Sequence, residues 1–322
     1  MKLRLIRTKN PDKQHVSVAD VYDFETTAME LFPFIICNES GYFRKAVRPS
    51  VAGYINKLLP KTKAPAFCIS MGINGISRSF PHLFLSSGNI LYLFDAWPGS
   101  YELIGKTIKA YNIGLLLTSS RESAAALQKM YSDICVLWCP EGIRNTVYRA
   151  YDYSQKDIDV IQIGRKYDLW HDRVVGKLKH SGISYVYEKV KGEVIFRHRT
   201  DFFEGLGRSR ISVCFPRSVT HTEKSGGLTT MTNRYLQSAA SKCLILGIIP
   251  GEMKDLFGYD PGITADMNDP AGQIKEILDN FKDYIPLIEK NYSECLRNHD
   301  WADRWRYIEQ LIQRRKKWNT EV

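Results

Sequence analysis

What most constrains this chain is a series of short apolar segments, each ending in a turn signal and alternating with helix-compatible stretches. Four lie in the first half: residues 66–71 (AFCISM), 90–95 (ILYLFD), 113–118 (IGLLLT) and 134–139 (ICVLWC). A strand with one face in water alternates apolar and polar side chains, whereas a strand apolar on both faces must be covered on both sides. These segments are of the second kind. Residues 101–111 and 120–131, between them, carry a helical pattern. Strand and helix in alternation predict an α/β layer architecture, a parallel sheet with right-handed crossovers.

The pattern breaks at 144–157 (RNTVYRAYDYSQKD), which is polar and aperiodic. It restarts with 158–164 (IDVIQIG), 184–188 (SYVYE), 211–215 (ISVCF) and 243–248 (CLILGI). Two α/β halves joined near residue 150 is the expectation, and 322 residues at ~150 per domain agree with it. Beyond Pro270 the chain reads as helix almost to its end, with breaks expected around Pro286 and at 298–300. The first 60 residues carry less pattern; 42–59 reads as a helix and the rest stays open.

Composition excludes several classes. With 44% hydrophobic and 25% charged residues the chain is neither disordered nor collagen-like. No apolar run approaches the ~20 residues of a membrane span. The opening MKLRLIRTKN places charges inside its apolar stretch, so no cleavable signal peptide is expected. Seven cysteines, an odd number scattered through apolar segments, read as reduced thiols of a cytoplasmic protein. The net charge of +10 favours anionic partners, whether phosphorylated substrates, anionic lipid or nucleic acid. No zinc-finger spacing, RNP-like aromatic motif or basic heptad region accompanies it, so nucleic acid is not the expected partner.

Several motifs dissolve on inspection. Residues 100–107 (SYELIGKT) approach a P-loop, but Ser100 stands where the first glycine belongs. Gly205-Leu-Gly207 lacks the third glycine of a dinucleotide fingerprint. Cys135 and Cys139 have no second ligand pair nearby, and His82, His171, His198 and His221 share no metal spacing. Asp157 and Asp159 precede a strand, where ligands of open α/β sheets do not gather, and read as a solvated strand entrance. No metal site is expected.

Three segments are more informative together. Residues 157–166 (DIDVIQIGRK) form a buried strand ending in Gly164, then Arg165 and Lys166. Cations beside a glycine at the carboxyl end of a strand suit a diphosphate. Residues 225–246 run from a loop containing Gly226, Gly227, Thr229 and Thr230 into a helix starting near Asn233, a potential anion site. Residues 138–143 (WCPEGI) make a strand-end turn just before the junction of the halves.

In this order the segments resemble the GT-B glycosyltransferases, in particular group 1 and spore-maturation CgeB-like members. The matching stretches are Thr118-Ser-Ser-Arg-Glu-Ser123, Pro140-Glu-Gly-Ile143, Asp159-Val-Ile-Gln-Ile-Gly-Arg165 and Arg234-Tyr-Leu-Gln-Ser-Ala-Ala-Ser-Lys242, within residues 90–312. The resemblance implies two Rossmann-like domains facing a cleft. Residues 1–150 would bind the acceptor and 151–299 the nucleotide-sugar donor, with a final helix at about 300–322 packing back on the first domain. It implies that Gly164, Arg165 and Lys166 meet the pyrophosphate, that Gly226, Gly227, Thr229 and Thr230 cradle the phosphates, and that Arg234 lies near them. Gln237 and Thr229 stand where many members carry two glutamates, and Lys242 replaces a small residue. Gln237 still offers a hydrogen bond to a ribose hydroxyl.

The implied activity is transfer of a sugar from a nucleotide-diphosphate donor to a glycan or lipid-linked glycan, with no cofactor and no metal. The leaving diphosphate must be stabilised as charge develops, a task for Arg165, loop amides and the helix dipole. Asp95, at the end of a strand, is a candidate base or acceptor contact and equally a turn cap before Trp97-Pro98. Glu141 has the same two readings. The nucleobase would meet the backbone of 197–200. At the C-terminus, Arg304, Arg306, Arg314, Arg315, Lys316 and Lys317 interleave with Trp301, Trp305 and Trp318. That suits either a peripheral contact with an anionic membrane surface or a helix with its tryptophans packed inward. Alternatives to transfer are a degenerate sugar-nucleotide binder on the same fold and a binder of anionic surfaces.

Overall fold

The structure is a computed structural model describing residues 3–7, 16, 19–39, 49–61, 65–70, 72–86, 88–164, 166–190, 193–196 and 198–318, with side chains as far as Arg314. Arg165, Met71, Arg197 and residues 42–48, on which expectations above fall, lie outside the described residues, as do the side chains of Arg315, Lys316, Lys317 and Trp318.

Among the described residues two parallel sheets form. The first contains β1 (Arg4–Arg7), β2 (Ile35–Asn38), β3 (Ala66–Ser70), β4 (Asn89–Leu93), β5 (Ile113–Thr118) and β6 (Cys135–Trp138), in the order β2-β1-β3-β4-β5-β6. The second contains β7 (Ile158–Gln162), β8 (Tyr185–Tyr187), β9 (Ser209–Cys214), β10 (Leu244–Gly247) and β11 (Ile263–Thr264), in the order β11-β10-β9-β7-β8. Every ladder is parallel, for example Phe67 opposite Ile90 and Val160 opposite Ile211.

The uniform apolar runs have a direct cause. Phe67, Ile69, Tyr92, Leu115 and Leu117 point to one core, while Cys68, Leu91, Leu93 and Leu116 point to another across the sheet. The first core is closed by the helix Ala19–Leu31 and by the last helix, Trp301–Trp318, which returns after the second sheet is complete. Trp305, buried to 1% exposure, stacks on Phe24 at 4.5 Å and donates its Nε1–H to the Phe24 carbonyl at 2.7 Å. Trp301 is fully buried beside it. Of the two readings of the C-terminal tryptophans, inward packing is what Trp301 and Trp305 adopt. In the second sheet, Asn233–Ala240 and Arg199–Gly207 cover one face, while Asp168–His180 and Pro270–Asp279 cover the other.

Two expectations change. The helix expected over 42–59 is described from Pro49 to Leu58, with proline at its first position, where a missing N–H costs nothing. The break expected at Pro286 is absent: Phe281–Asn298 continues through it, and burial of Ile288, Asn291 and Cys295 outweighs one lost backbone bond. The interruption at 298–300 is present and structural. There the chain crosses back beside its first crossing, and the Ile143 N–H donates to the His299 carbonyl at 3.1 Å while the Trp301 N–H donates to the Ile143 carbonyl at 2.9 Å. Gly142 leaves no room for a side chain here, since a Cβ would meet Trp301 at 3.0 Å and the His299 carbonyl at 3.2 Å.

Buried Arg304 locks this double crossing. It donates to the carbonyls of Pro140 (3.0 Å), Glu141 (3.2 Å) and Asn298 (3.1 Å), and to His299 Nδ1 (2.8 Å). Burial and that neighbouring cation push the His299 pKa down to about 3, so its ring stays neutral and accepts the bond.

Candidate functional site

The carboxyl ends of β4, β6 and β7 face one another across a cavity of about 460 Å³ between the two sheets. This is where open α/β sheets hold ligands. The first domain contributes Asp20 from the start of the Ala19–Leu31 helix, Phe94 and Asp95 beyond β4, and Glu141 beyond β6. The second contributes Ile163 and Gly164 beyond β7, an apolar wall of Val194, Ile195, Phe196 and Phe202, and Asn233, Arg234 and Gln237 from one helix.

Gly164 sits at φ +73°, and a Cβ there would lie 2.6 Å from Arg234 Nη2. Glycine thus supplies both the left-handed turn and the space for the guanidinium. Arg234 Nη1 donates to the Phe215 carbonyl at 3.2 Å, which steadies the side chain at the cavity wall. Gln237, also on the cavity, donates its amide to Asp20 Oδ2 at 3.4 Å. The sequence-derived residues Asp95, Gly164, Arg234 and Gln237 therefore come together.

Others do not join them. Lys166 places its ammonium 5.5 Å from the centre of the Tyr187 ring and does not line the cavity. The loop hydroxyls are engaged within the protein: Thr229 with Ser218 at 2.9 Å, and Thr230 with the Glu252 carboxylate, which also accepts the Met231 N–H. Gly226 caps a short helical turn in the left-handed region at φ 59° and rests against Pro98, while Gly227 is left-handed beside it at φ 82°. None of these four lines the cavity. The remaining motifs keep their structural readings. Lys106 pairs with Glu102 on an exposed helix face, Asp157 with Arg208 and Asp159 with Arg210.

The acidic wall was the less visible half. Glu141 reaches across to the other domain, its Oε2 accepting the Asn233 N–H at 2.8 Å. Burial, with Asp20, Asp95 and Glu252 nearby, pushes its pKa up to about 8 against that hydrogen bond. Asp20 is pushed up to about 7, by enclosure first and by Asp23, against hydrogen bonds from Asn233 and Gln237 and the Arg199 charge. Near neutral pH the two carboxyls can hold different protonation states, which suits proton transfer to or from a hydroxyl. Asp95 takes Arg217 Nη1 at 3.0 Å, and that guanidinium lies over the Trp97 ring. Asp20 left no signal, because an acid in the first turn of a helix is ordinary capping chemistry. Arg217 left none either, since its partner lies 122 residues away.

Among the described residues no group of three or more His, Cys, Asp or Glu is placed to hold a metal ion, and no helix is long and apolar enough to cross a membrane.

No protein-family model matches the chain, and no curated protein matched it in a sequence search. Solved structures do. The chain is similar to Anabaena Alr3699/HepE, solved with UDP and glucose, at 8% identity over 97% of this chain and 99% of that one, with a TM-score of 0.59. It is similar to TarM at 12% identity, over 82% of this chain and 58% of TarM, with a TM-score of 0.56. A third is the UDP-forming α,α-trehalose-phosphate synthase of Burkholderia vietnamiensis, at 10% identity over 83% and 78% of the two chains, TM-score 0.52. The likeness is one of architecture, two parallel Rossmann-like domains with their strand ends on a shared cleft, and the chain has the GT-B fold.

Proposed function

We propose that the chain is a glycosyltransferase that moves a sugar from a nucleoside-diphosphate donor to a glycan or lipid-linked glycan, without a bound metal. The observation that carries this is the pairing of Gly164 with Arg234: a left-handed glycine at a strand end opens the backbone to a guanidinium at the start of a helix. The cavity divides into three kinds of surface that match such a donor. Val194, Ile195, Phe196 and Phe202 offer an apolar wall for a flat base, Gly164 and Arg234 suit the diphosphate, and Asp20, Asn233 and Gln237 suit sugar hydroxyls. HepE, of the same fold, was solved with UDP and glucose.

In the reaction the departing diphosphate gathers charge, and Arg234 with the N-terminal N–H groups of its helix would oppose it. Arg165 joins them on sequence grounds. Asp20, titrating near neutrality, would accept the proton of the attacking hydroxyl. Membrane attachment through the basic end of the last helix would not use Trp301 and Trp305, which are buried, and cosedimentation with anionic vesicles should fall with added salt.

The test is thermal stabilisation by a panel of nucleoside diphosphates, with and without EDTA. A ligand at a hundredfold excess over Kd stabilises by about 2.7 kcal/mol. One nucleotide should shift the midpoint regardless of EDTA, and its sugar conjugate should then release that nucleotide when an acceptor is added. Binding without release on any acceptor would favour the non-catalytic binder, and a flat panel would remove the donor reading.

A further inference from the structure

Four hydrogen bonds between the domains run in one direction, while Arg121 of the first domain donates the other way, to Glu252 and Asp255 of the second. Asp95 takes Arg217 at 3.0 Å, Asp23 takes Arg199, Asp20 takes the Gln237 amide, and Glu141 takes the Asn233 N–H. In each pair the acceptor belongs to the first domain and the donor to the second. The donors are guanidinium groups, an amide and the first N–H of an eight-residue helix, the groups that proteins use to hold anionic oxygens. Asn233, 8% exposed and on the cavity, also keeps its Oδ1 without a partner, an acceptor aimed at nothing the protein supplies.

We propose that Asp95 and Glu141 are an internal clasp: their carboxylates occupy, on Arg217 and the Asn233 N–H, anion positions that a ligand's diphosphate takes over, so the ligand must displace the clasp to bind. This deepens the donor-site reading and rests on it. The clasp is built from behind, because buried Arg304 ties down the Pro140 and Glu141 carbonyls and leaves the Glu141 side chain reaching forward. Gly142, pressed against Trp301 and His299, removes the slack from the same turn.

Ionisation sets its strength. Asp20, Asp95 and Glu252 face Glu141 with negative charge, while Arg234 on the same cavity and Arg304 behind the turn are positive and His299 is neutral. As pH rises through about 8, Glu141 ionises and its bond to the helix N–H strengthens. A diphosphate then meets a stronger competitor.

The experiment uses the full chain, with Asp95→Asn plus Glu141→Gln as a charge-removing double variant and Glu141→Ala to remove the acceptor. UDP and inorganic pyrophosphate are titrated at pH 7 and pH 9, and amide exchange is followed over residues 231–236. The wild type should bind both probes more weakly at pH 9. The double variant should bind about tenfold tighter there, the effect of losing roughly 1.4 kcal/mol of competition. Glu141→Ala should speed exchange at Asn233. Unchanged affinity and exchange in both variants, with the probes binding, overturns the clasp and leaves the donor site standing. Faster exchange in a protein that binds neither probe overturns the donor site and, with it, displacement by diphosphate.

Discussion

The two cleft walls are built by the same architecture and furnished with different chemistry. Both draw on the carboxyl ends of parallel strands, yet the first domain offers Asp20, Asp95 and Glu141, while the second offers Arg234, a helix N-terminus and Arg217 paired with Asp95 alongside two acids of its own, Glu188 and Glu193. The fold decides only where a ligand can sit; what it can be is decided by a few side chains at strand ends. The second wall is suited to a diphosphate. The first, with carboxyls raised toward neutral pH, is suited to hydroxyls and proton transfer.

The largest test of this division is Trp305→Ala. Trp305 holds the helix that carries Asp20, through Phe24, so the substitution should lower stability by about 3–5 kcal/mol in urea unfolding. A loss below about 1 kcal/mol would mean the returning helix does not secure the acidic wall. Arg234→Ala attacks the other wall: losing a charge-assisted hydrogen bond of about 1.5–3 kcal/mol should weaken UDP binding by roughly 10- to 100-fold in calorimetry, with little change in melting temperature. Equal loss of stability and affinity would blur the distinction between scaffold and site.

Gly164→Ala should cost about 1–2 kcal/mol for the left-handed backbone, and should weaken UDP as well because the new Cβ displaces Arg234. An alanine variant with full affinity would separate the glycine from the phosphate contact. A further effect is in pH. Asp20 and Glu141 have folded pKa values raised above their usual 3.8 and 4.5, so the folded state binds more protons than the unfolded one. Their contribution to stability is fullest below about pH 4 and is lost as pH rises toward 7 and 8. His299, depressed to about 3, acts oppositely between about pH 3 and 6.5. Glu141→Gln should flatten the stability profile between about pH 4.5 and 8 in thermal melts, and an unchanged profile would place the residue in water.

The fold could be read where strands are buried on both faces. β3, β4, β5 and β7 announce themselves because each side of the sheet demands apolar residues. β1 (RLIR) has charged ends and β2 (IICN) lies at the sheet edge with Ile35 and Ile36 exposed, so neither stands out. Within the site, Gly164 and Arg234 could be read because glycine at a strand end and a helix start have local signatures. Thr229 and Thr230 read as phosphate ligands, but a hydroxyl is equally satisfied by Ser218 or Glu252, and composition cannot tell which. Asp20 could not be found, since its role comes from Asn233 and Gln237, more than 200 residues away.

The most direct measurement of the central claim is an isothermal titration of UDP into the wild type and Arg234→Ala, run side by side. The account predicts saturable one-to-one binding in the wild type and a loss of roughly 10-fold or more in the variant. No binding of UDP or of any other nucleoside diphosphate to the wild type, or equal affinity in both proteins, would contradict it.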